Sequence, residues 1–470
     1  MDKLKISAKI GYGAADLGGC LVNMIITSYY MYYCTNVINI PLVIVGMIIF
    51  VSKIWDGIND IIVGGMVDRT FTEKGQARPW IAKFTIPFAV ISCFMFAIPA
   101  GATVTVKVIW AVIAYSIFTW CYTAINLPYS SLMTLMTNDS VERTTLNTVR
   151  MVCALIGNII VMACFLPLVE ILTKKTGNKP VSYLITVIIY AFVAACLWFI
   201  TYFVCHEKKV YTPEEIAEKK AQIKSDNKNY SVLQHARYLF TQNLHCLCSL
   251  GISLCFFNRL AVDSNSVVYY FVYVLRLPEA SSSMYSTASY ICMVVFLPIS
   301  AIILAKIGNK RMMAISNIAV VICLVLGFLF SNNLTMSYIF HSLSFGLVVV
   351  CTISILNMLA DSIDYGEVNY GLRLDGLGMT AYSFASKVGP AIGSLLCTLI
   401  FAVSQLDTSI EAGGIQKASA LIGINITLWI IPATLHSIVA ILSIIYPLTE
   451  KKRNEIMNTL IEKRKTDNAE

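Results

Sequence analysis

Lys53-Ile54-Trp55-Asp56-Gly57-Ile58-Asn59-Asp60 puts two carboxylates, a carboxamide and an ammonium into a stretch, residues 42–67, that is otherwise apolar enough to cross a lipid bilayer. Each ionisable group at the centre of a spanning helix costs roughly 2.5 to 3.5 kcal/mol, so such a cluster asks for a functional reason. Asp56 and Asp60 are four residues apart and Asn59 is three from Asp56, which places all three on one side of a helix. That side can hold a cation.

Outward from this segment the chain keeps the same character. Of its 470 residues 57% are hydrophobic and 13% charged, with mean hydropathy +0.71, whereas soluble domains average about 25% charged. Long runs such as Leu42 to Val51, Ile86 to Ala100 and Tyr183 to Cys205 are almost free of charge. Stretches of about 20 apolar residues predict helices near 8–35, 42–67, 79–99, 106–133, 146–171 and 181–205, then 244–275, 281–306, 312–331, 335–358, 377–404 and 418–447. The fold class is therefore an all-α membrane protein of twelve transmembrane helices in two sets of six. The expected organisation is a bundle at 1–205 that carries the cation site, a linker at 206–243, a second bundle at 244–447 and a tail at 448–470.

The linker carries Lys208, Lys209, Lys219, Lys220, Lys224, Lys228 and Arg237. With Lys3, Lys5 and Lys9 at the start and Lys451, Lys452, Arg453, Lys463, Arg464 and Lys465 at the end, it places both termini and the linker on the cytoplasmic side of a plasma membrane. The net charge of +8 thus reports orientation; the basic residues flank helix ends and form no groove-reading motif, which excludes a nucleic-acid partner. The first helix is longer than a signal-peptide core and is expected to stay in the mature protein. Fifteen cysteines are scattered without metal-ligand or redox spacing and read as small hydrophobes. No cofactor and no metal beyond a coupling ion is expected. Ile456, Leu460 and Ile461 form one apolar stripe, so the tail reads as a short helix lying on the bundle.

Other polar residues inside apolar segments point the same way. Tyr12, Asp16, Gly19 and Asn23 form a stripe on helix 1; its bland reading is a glycine-lined packing face, its functional one an acid lining a water-filled path. On helix 4, Tyr122, Asn126 and Ser130 share a face, and Pro128 frees a carbonyl one turn earlier, as a ligand or a hinge, or merely as a kink. Arg150 stands near the cytoplasmic start of helix 5, where snorkelling is the alternative, while Lys387 lies too deep in helix 11 to snorkel readily.

Several ordered motifs give the chain a family likeness. Residues 55–70, WDGINDIIVGGMVDRT, are followed by Gly75, Arg78 and Pro79; Asp139, Glu142, Arg143 and Arg150 follow helix 4. After helix 10 come Asp361, Asp364, Tyr365, Gly366, Glu367, Gly371, Arg373, Gly376 and Lys387. Over nearly its full length this pattern resembles the glycoside-pentoside-hexuronide cation symporters, typified by melibiose permeases, with Ile61 where their helix 2 signature has proline. The resemblance implies a major facilitator fold, two six-helix halves around a mid-membrane cavity that alternates its opening. It also implies secondary active symport of a cation with a glycoside, by a protein that is not an enzyme and works as a monomer in the bilayer.

Carried over residue by residue, the resemblance implies a sodium site at Asp56, Asn59, Asp60 and Thr123, with proton coupling through the same acids as the alternative. It implies substrate contacts at Asp16, Tyr122, Asn126, Arg150 and Lys387, and gating contacts at Asp68, Arg69, Arg143, Asp361 and Arg373. The chain departs from melibiose permeases at four points. Asn126 replaces a sugar-binding acid, Ser130 and Thr352 replace stacking tryptophans, and Ala15 replaces a lysine. With one carboxylate lost against Arg150 and Lys387, the expected substrate is an acidic glycoside such as a hexuronide or a sulfonated sugar. Two other classes compete: a sodium-coupled lysolipid carrier on the same fold, and an intramembrane enzyme. The latter is disfavoured because none of the five histidines has a plausible catalytic partner nearby in sequence.

Overall fold

The structure is a computed structural model that describes residues 4–68, 70, 72–137, 139–208, 244–370, 375–410, 414–448, 452, 453 and 455–460. Among these residues twelve long helices follow one another: α1 Ile6–Val37, α2 Leu42–Asp68, α3 Arg78–Met95, α4 Val104–Met136, α5 Ser140–Thr176 and α6 Lys179–Val204. Then come α7 Leu244–Tyr269 with its continuation Tyr270–Val274, α8 Ser281–Ile307, α9 Asn309–Leu329, α10 Leu334–Tyr370, α11 Asp375–Val403 and α12 Ala418–Ile445. Eleven are long and apolar enough to cross a membrane; the other, α3, has only 18 residues, among them Arg78 and Lys83. The helical fold class is as the sequence predicts.

The chain divides into two compact units. The first comprises Met1–Lys228, Phe271–Thr287 and Asp407–Gln416, the second Asn229–Tyr270, Ala288–Leu406 and Lys417–Glu470. The linker expected at 206–243 lies, from residue 209 onward, outside the described residues.

Inside the first unit the helices are built for lipid outside and polar contact inside. On α6, Val181, Ile188, Phe192, Ile200 and Phe203 are exposed, whereas Ser182, Tyr183, Thr186, Ala194, Trp198 and Thr201 are buried. With no hydrophobic effect to drive helices together in lipid, close packing does the work, and small residues allow it. A Cβ on Gly18 of α1 would lie 3.0 Å from the Ala194 carbonyl oxygen and 3.2 Å from Leu197 Cβ on α6, while one on Gly157 of α5 would lie 3.1 Å from the Leu17 carbonyl oxygen. α1 is thereby wedged against both. In the second unit Gly389 and Gly393 of α11 meet α7 the same way, and Gly327 of α9 leaves room for the Trp429 ring of α12.

α1 and α7 end alike. Each closes in a π-helical turn, Tyr33–Val37 and Tyr270–Val274, followed two residues later by a residue at positive φ, Asn39 at 62° and Arg276 at 55°. Matching backbone bonds run from Ile40 N to Cys34 O and from Leu277 N to Phe271 O. In the register these ends set, Tyr32-Tyr33 falls on Tyr269-Tyr270.

Two polar motifs expected beyond helix ends prove helical. Glu142 and Arg143 lie in the first turn of α5, and Asp361, Asp364 and Glu367 continue α10. Hydropathy marks only the part of a helix that lipid covers; outside it the backbone stays helical and the side chains turn polar. Residues 455–460 are helical as well, with Ile456 and Leu460 buried.

The α1 wedge gives a test. Gly18→Ile overpacks against backbone and is expected to cost about 1 to 3 kcal/mol. Gly65→Ala, where no atom lies within 4 Å of the added methyl, is expected to leave stability unchanged or raised. Thermal unfolding of the detergent-solubilised protein, followed by loss of helical circular dichroism, measures both.

Candidate functional site

Asp56, Asn59 and Asp60 project from one side of α2 while Ile54, Trp55, Ile58 and Ile62 are exposed on the rest of it. Opposite them on α4 stands Thr123. Its Oγ1 lies 3.2 Å from Asp56 Oδ1 and 3.2 Å from Asp60 Oδ1, so one hydroxyl bridges two carboxylates. A hydroxyl has one proton and can donate it to one acceptor at a time. Asp56, Asn59 and Thr123 are buried, Asp60 half-buried. Asn59 Nδ2 donates to Thr119 Oγ1 at 3.4 Å, whereas its Oδ1 is buried without a hydrogen-bond partner. The four residues fit a bare cation: they offer only oxygen, two of the donors are anionic, and one neutral oxygen has no competing hydrogen. Below this cluster Val63, Val67 and Ala124 pack with Trp80, Phe84, Trp120 and Leu127, which fixes α2 against α4.

The substrate residues expected in the first unit divide into two groups. Arg150 Nε donates to Asp16 Oδ2 at 2.8 Å, joining α5 to α1. The guanidinium carbon sits 5.1 Å from the Tyr129 ring centroid, and Tyr129 stacks on Tyr12 at 4.6 Å while donating its hydroxyl to the Tyr12 carbonyl at 2.9 Å. Trp198 meets Tyr129 edge-on at 5.4 Å. Arg150 is thus held inward by an acid and an aromatic face and does not snorkel. Tyr122, half-buried, lies 6.0 Å from Phe88 and 6.1 Å from Phe118, and Asn126 is half-buried one turn on, its carbonyl accepting from Ser130 Oγ. In the second unit Lys387 is half-buried on α11.

Among the expected gating residues, Arg143 Nε donates to the Thr137 carbonyl at 2.9 Å and Asp361 accepts from Arg453 Nε at 2.9 Å, the tail supplying the base. Asp68 ends α2, but its side chain, like the whole of Arg69 and Arg373, lies outside the described residues.

Several contacts have no local signal in the sequence. Glu207 accepts from the backbone nitrogens of Gln76, Ala77 and Arg78 at 2.8, 2.8 and 3.0 Å, capping α3 with a carboxylate at its positive end. Gly75, at φ 104°, makes room for it: a Cβ there would clash with the Glu207 carboxylate. Lys9 pairs with Glu142 at 2.8 Å, and Lys179 with Glu279 at 2.9 Å. Partners 131 or 100 residues apart cannot be read from spacing; only the unpaired polar character of each is visible.

The sequence pattern of the MFS/sugar transport protein family matches residues 11–450. The isoprimeverose transporter of Lactiplantibacillus pentosus is 26% identical over 465 residues, covering 98% of this chain and 93% of its own. The glucuronide carrier protein homolog of Escherichia coli (strain K12) is 25% identical, covering 95% and 94%. In structure, the chain superposes on the crystal structure of a D-xylose-proton symporter with TM-score 0.63 at 14% identity, covering 95% of this chain and 98% of that one. With its motifs, its twelve helices and a family match over nearly its whole length, the chain belongs to the MFS sugar transporters, and within them to the glycoside-pentoside-hexuronide cation symporters; it is a cation-coupled membrane transporter and not an enzyme.

Proposed function

We propose that the protein imports an acidic glycoside together with Na⁺ across the plasma membrane, its termini and the linker at 206–243 cytoplasmic, its halves spanning residues 1–205 and 244–447. The observation that carries the ion assignment is the Thr123 hydroxyl bridging Asp56 and Asp60 beside the buried, hydrogen-free Asn59 Oδ1. When bound there, a cation offsets the charge of the two carboxylates. The protein's own part is to hold four oxygens at fixed spacing on two packed helices, so that little reorganisation accompanies binding. One monovalent cation moving through about 100 mV supplies roughly 2.3 kcal/mol, a concentration ratio on the order of 40-fold.

Coupling needs a physical link between ion and sugar, and α4 supplies one. Thr123 touches the α2 carboxylates, and Tyr129, less than two turns on, stacks against the Arg150 that holds Asp16. Tyr122 and Asn126 stand on the same stretch. A small shift of α4 on ion binding therefore reaches every proposed substrate contact of the first half, and the coupling is reciprocal. Asp68, Arg69, Arg143, Asp361 and Arg373 are proposed to serve gating contacts on the cytoplasmic side. The acidic substrate is supported by the carboxylate lost at Asn126 while Arg150 and Lys387 are kept; the kinship with a glucuronide carrier homolog is in keeping with it.

Two outcomes are expected from uptake into membrane vesicles. First, Asp56→Asn and Asp60→Asn abolish Na⁺-driven accumulation, and Thr123→Val raises the half-saturating Na⁺ concentration about 5- to 150-fold while Thr123→Ser stays near wild type. Accumulation driven only by a pH gradient would instead make the two acids a proton site. Second, glucuronides or sulfonated sugars compete for uptake and neutral galactosides do not. Arg150→Lys, which keeps the charge but loses the Nε bond to Asp16 and the planar stack on Tyr129, raises KM for the acidic sugar at least about 10-fold. Transport confined to neutral sugars would overturn the acidic-substrate reading.

A further inference from the structure

The second unit encloses an acid–imidazole pair that the cation site does not use. Asp263 on α7 and His341 on α10 are 5% and 1% exposed, and His341 Nε2 lies 2.7 Å from Asp263 Oδ1. The other ring nitrogen, Nδ1, lies 2.8 Å from Ser289 Oγ on α8, and Ser289 Oγ lies 3.4 Å from Ser342 Oγ, which is half-buried. We infer that Asp263, His341 and Ser289 form a proton-binding site in the second half of the protein, separate from the carboxylates of α2.

The geometry serves both charge states of the ring. In the neutral ring Nε2–H donates to Asp263 and Nδ1 accepts the Ser289 hydroxyl proton. A proton arriving from water through Ser342 and Ser289 is placed on Nδ1, whose N–H then donates to Ser289 Oγ, and the Ser289 hydroxyl turns toward Ser342. One N–H bond forms as the Ser289 O–H bond breaks, Ser289 regains a proton from Ser342 and Ser342 one from water, and in neither state is a ring nitrogen left without a partner. Buried ionisable pairs on spanning helices are costly to keep and typically mark proton or ion pathways.

The charged and titratable surroundings are mixed. Arg259, fully buried one turn before Asp263 on α7, donates to Ser344 Oγ at 3.1 Å and lies over Phe345 at 4.2 Å; Ser344 in turn donates to the His341 carbonyl. α7 also brings Tyr270, bonded to Ser337; α8 brings Tyr290 and Cys292; α10 its own Tyr338 and Cys351. α11 contributes Cys397, which donates to the Val262 carbonyl, and α12 contributes His436, bonded to Asn317 of α9. One carboxylate and one guanidinium frame the ring, so a single added proton leaves one net positive charge among these groups. A reporter is in place: the Trp429 ring meets His341 edge-on at 6.0 Å, and it is the one tryptophan beyond residue 198.

The test is a pH titration of the full-length protein in lipid nanodiscs across the range in which it stays folded. Trp429 emission, taken as the difference between wild type and Trp429→Phe, is expected to fall on acidification with single-proton steepness. His341→Gln should abolish the step, and Asp60→Asn should leave it unchanged. Nitrogen-15 spectra of histidine-labelled wild type, which need no substitution beyond assignment, should show one buried imidazole with both nitrogens protonated at the acid end. A pH-independent Trp429 signal together with a ring that keeps one tautomer across the range would overturn the proposal. Neither readout depends on sodium or on any sugar, so the outcome is separate from that of the uptake experiments.

Discussion

Hydrocarbon offers no hydrogen bonds, and most of this structure follows from that one deficit. Every polar group carried into the bilayer must find its partner on another helix or in its own backbone. Lys107 donates to the Ile38 carbonyl at 2.9 Å, the Thr201 hydroxyl donates to the Gly11 carbonyl, and Arg150 meets Asp16. Each such bond ties a helix to another helix or to the connection beside it. The apolar faces, which in a soluble protein would make the core, are turned outward instead, as on α6. In the α2 cluster two carboxylates lie against the same Thr123 hydroxyl. Two carboxylates that share one hydroxyl repel each other at low dielectric, and a cation or a proton relieves that repulsion.

That repulsion gives the transport cycle its handle. A site whose protein groups satisfied each other would bind nothing, and a site of fully exposed groups would bind without moving anything. The α2 acids, one buried and one half-buried, meet the Thr123 hydroxyl of a helix that also holds Tyr129 against Arg150. Pro128 lies between the two contact points and removes a backbone hydrogen bond there, so α4 is locally easier to bend where it must relay a displacement.

The residues that break the apolar pattern were legible in the sequence because their cost is local. Asp56, Asn59 and Asp60 stand out against lipid whatever their partners, and a run of twenty apolar residues is a helix in a membrane whatever it packs on. What was not legible is pairing. His341 reads as an isolated histidine until α7 brings Asp263 to it from 78 positions away. Arg150, read alone, is equally a snorkelling residue, and only Tyr129 and Asp16 decide otherwise. Helix ends beyond the apolar runs were misplaced for a related reason: the D-x-x-D-Y-G-E segment is polar, and polarity carries no instruction to stop a helix that backbone hydrogen bonds continue.

The repeated endings of α1 and α7 allow the two halves to be compared position by position. Offset by 237 residues, the π turn Tyr33–Val37 falls on Tyr270–Val274 and Asn39 on Arg276, and the same offset brings Ile26 to Asp263 and Asp16 to Ser253. The repeat therefore conserves its scaffold, an aromatic π turn closed by a positive-φ residue, and exchanges its charges. The first copy carries an acid low on α1, where Arg150 holds it. The second carries its acid about three turns further along the helix, where His341 and Ser289 receive it. A duplicated frame with acids at different heights in its two copies can hold two ionic sites that do not compete, because each is enclosed by the helices of its own unit.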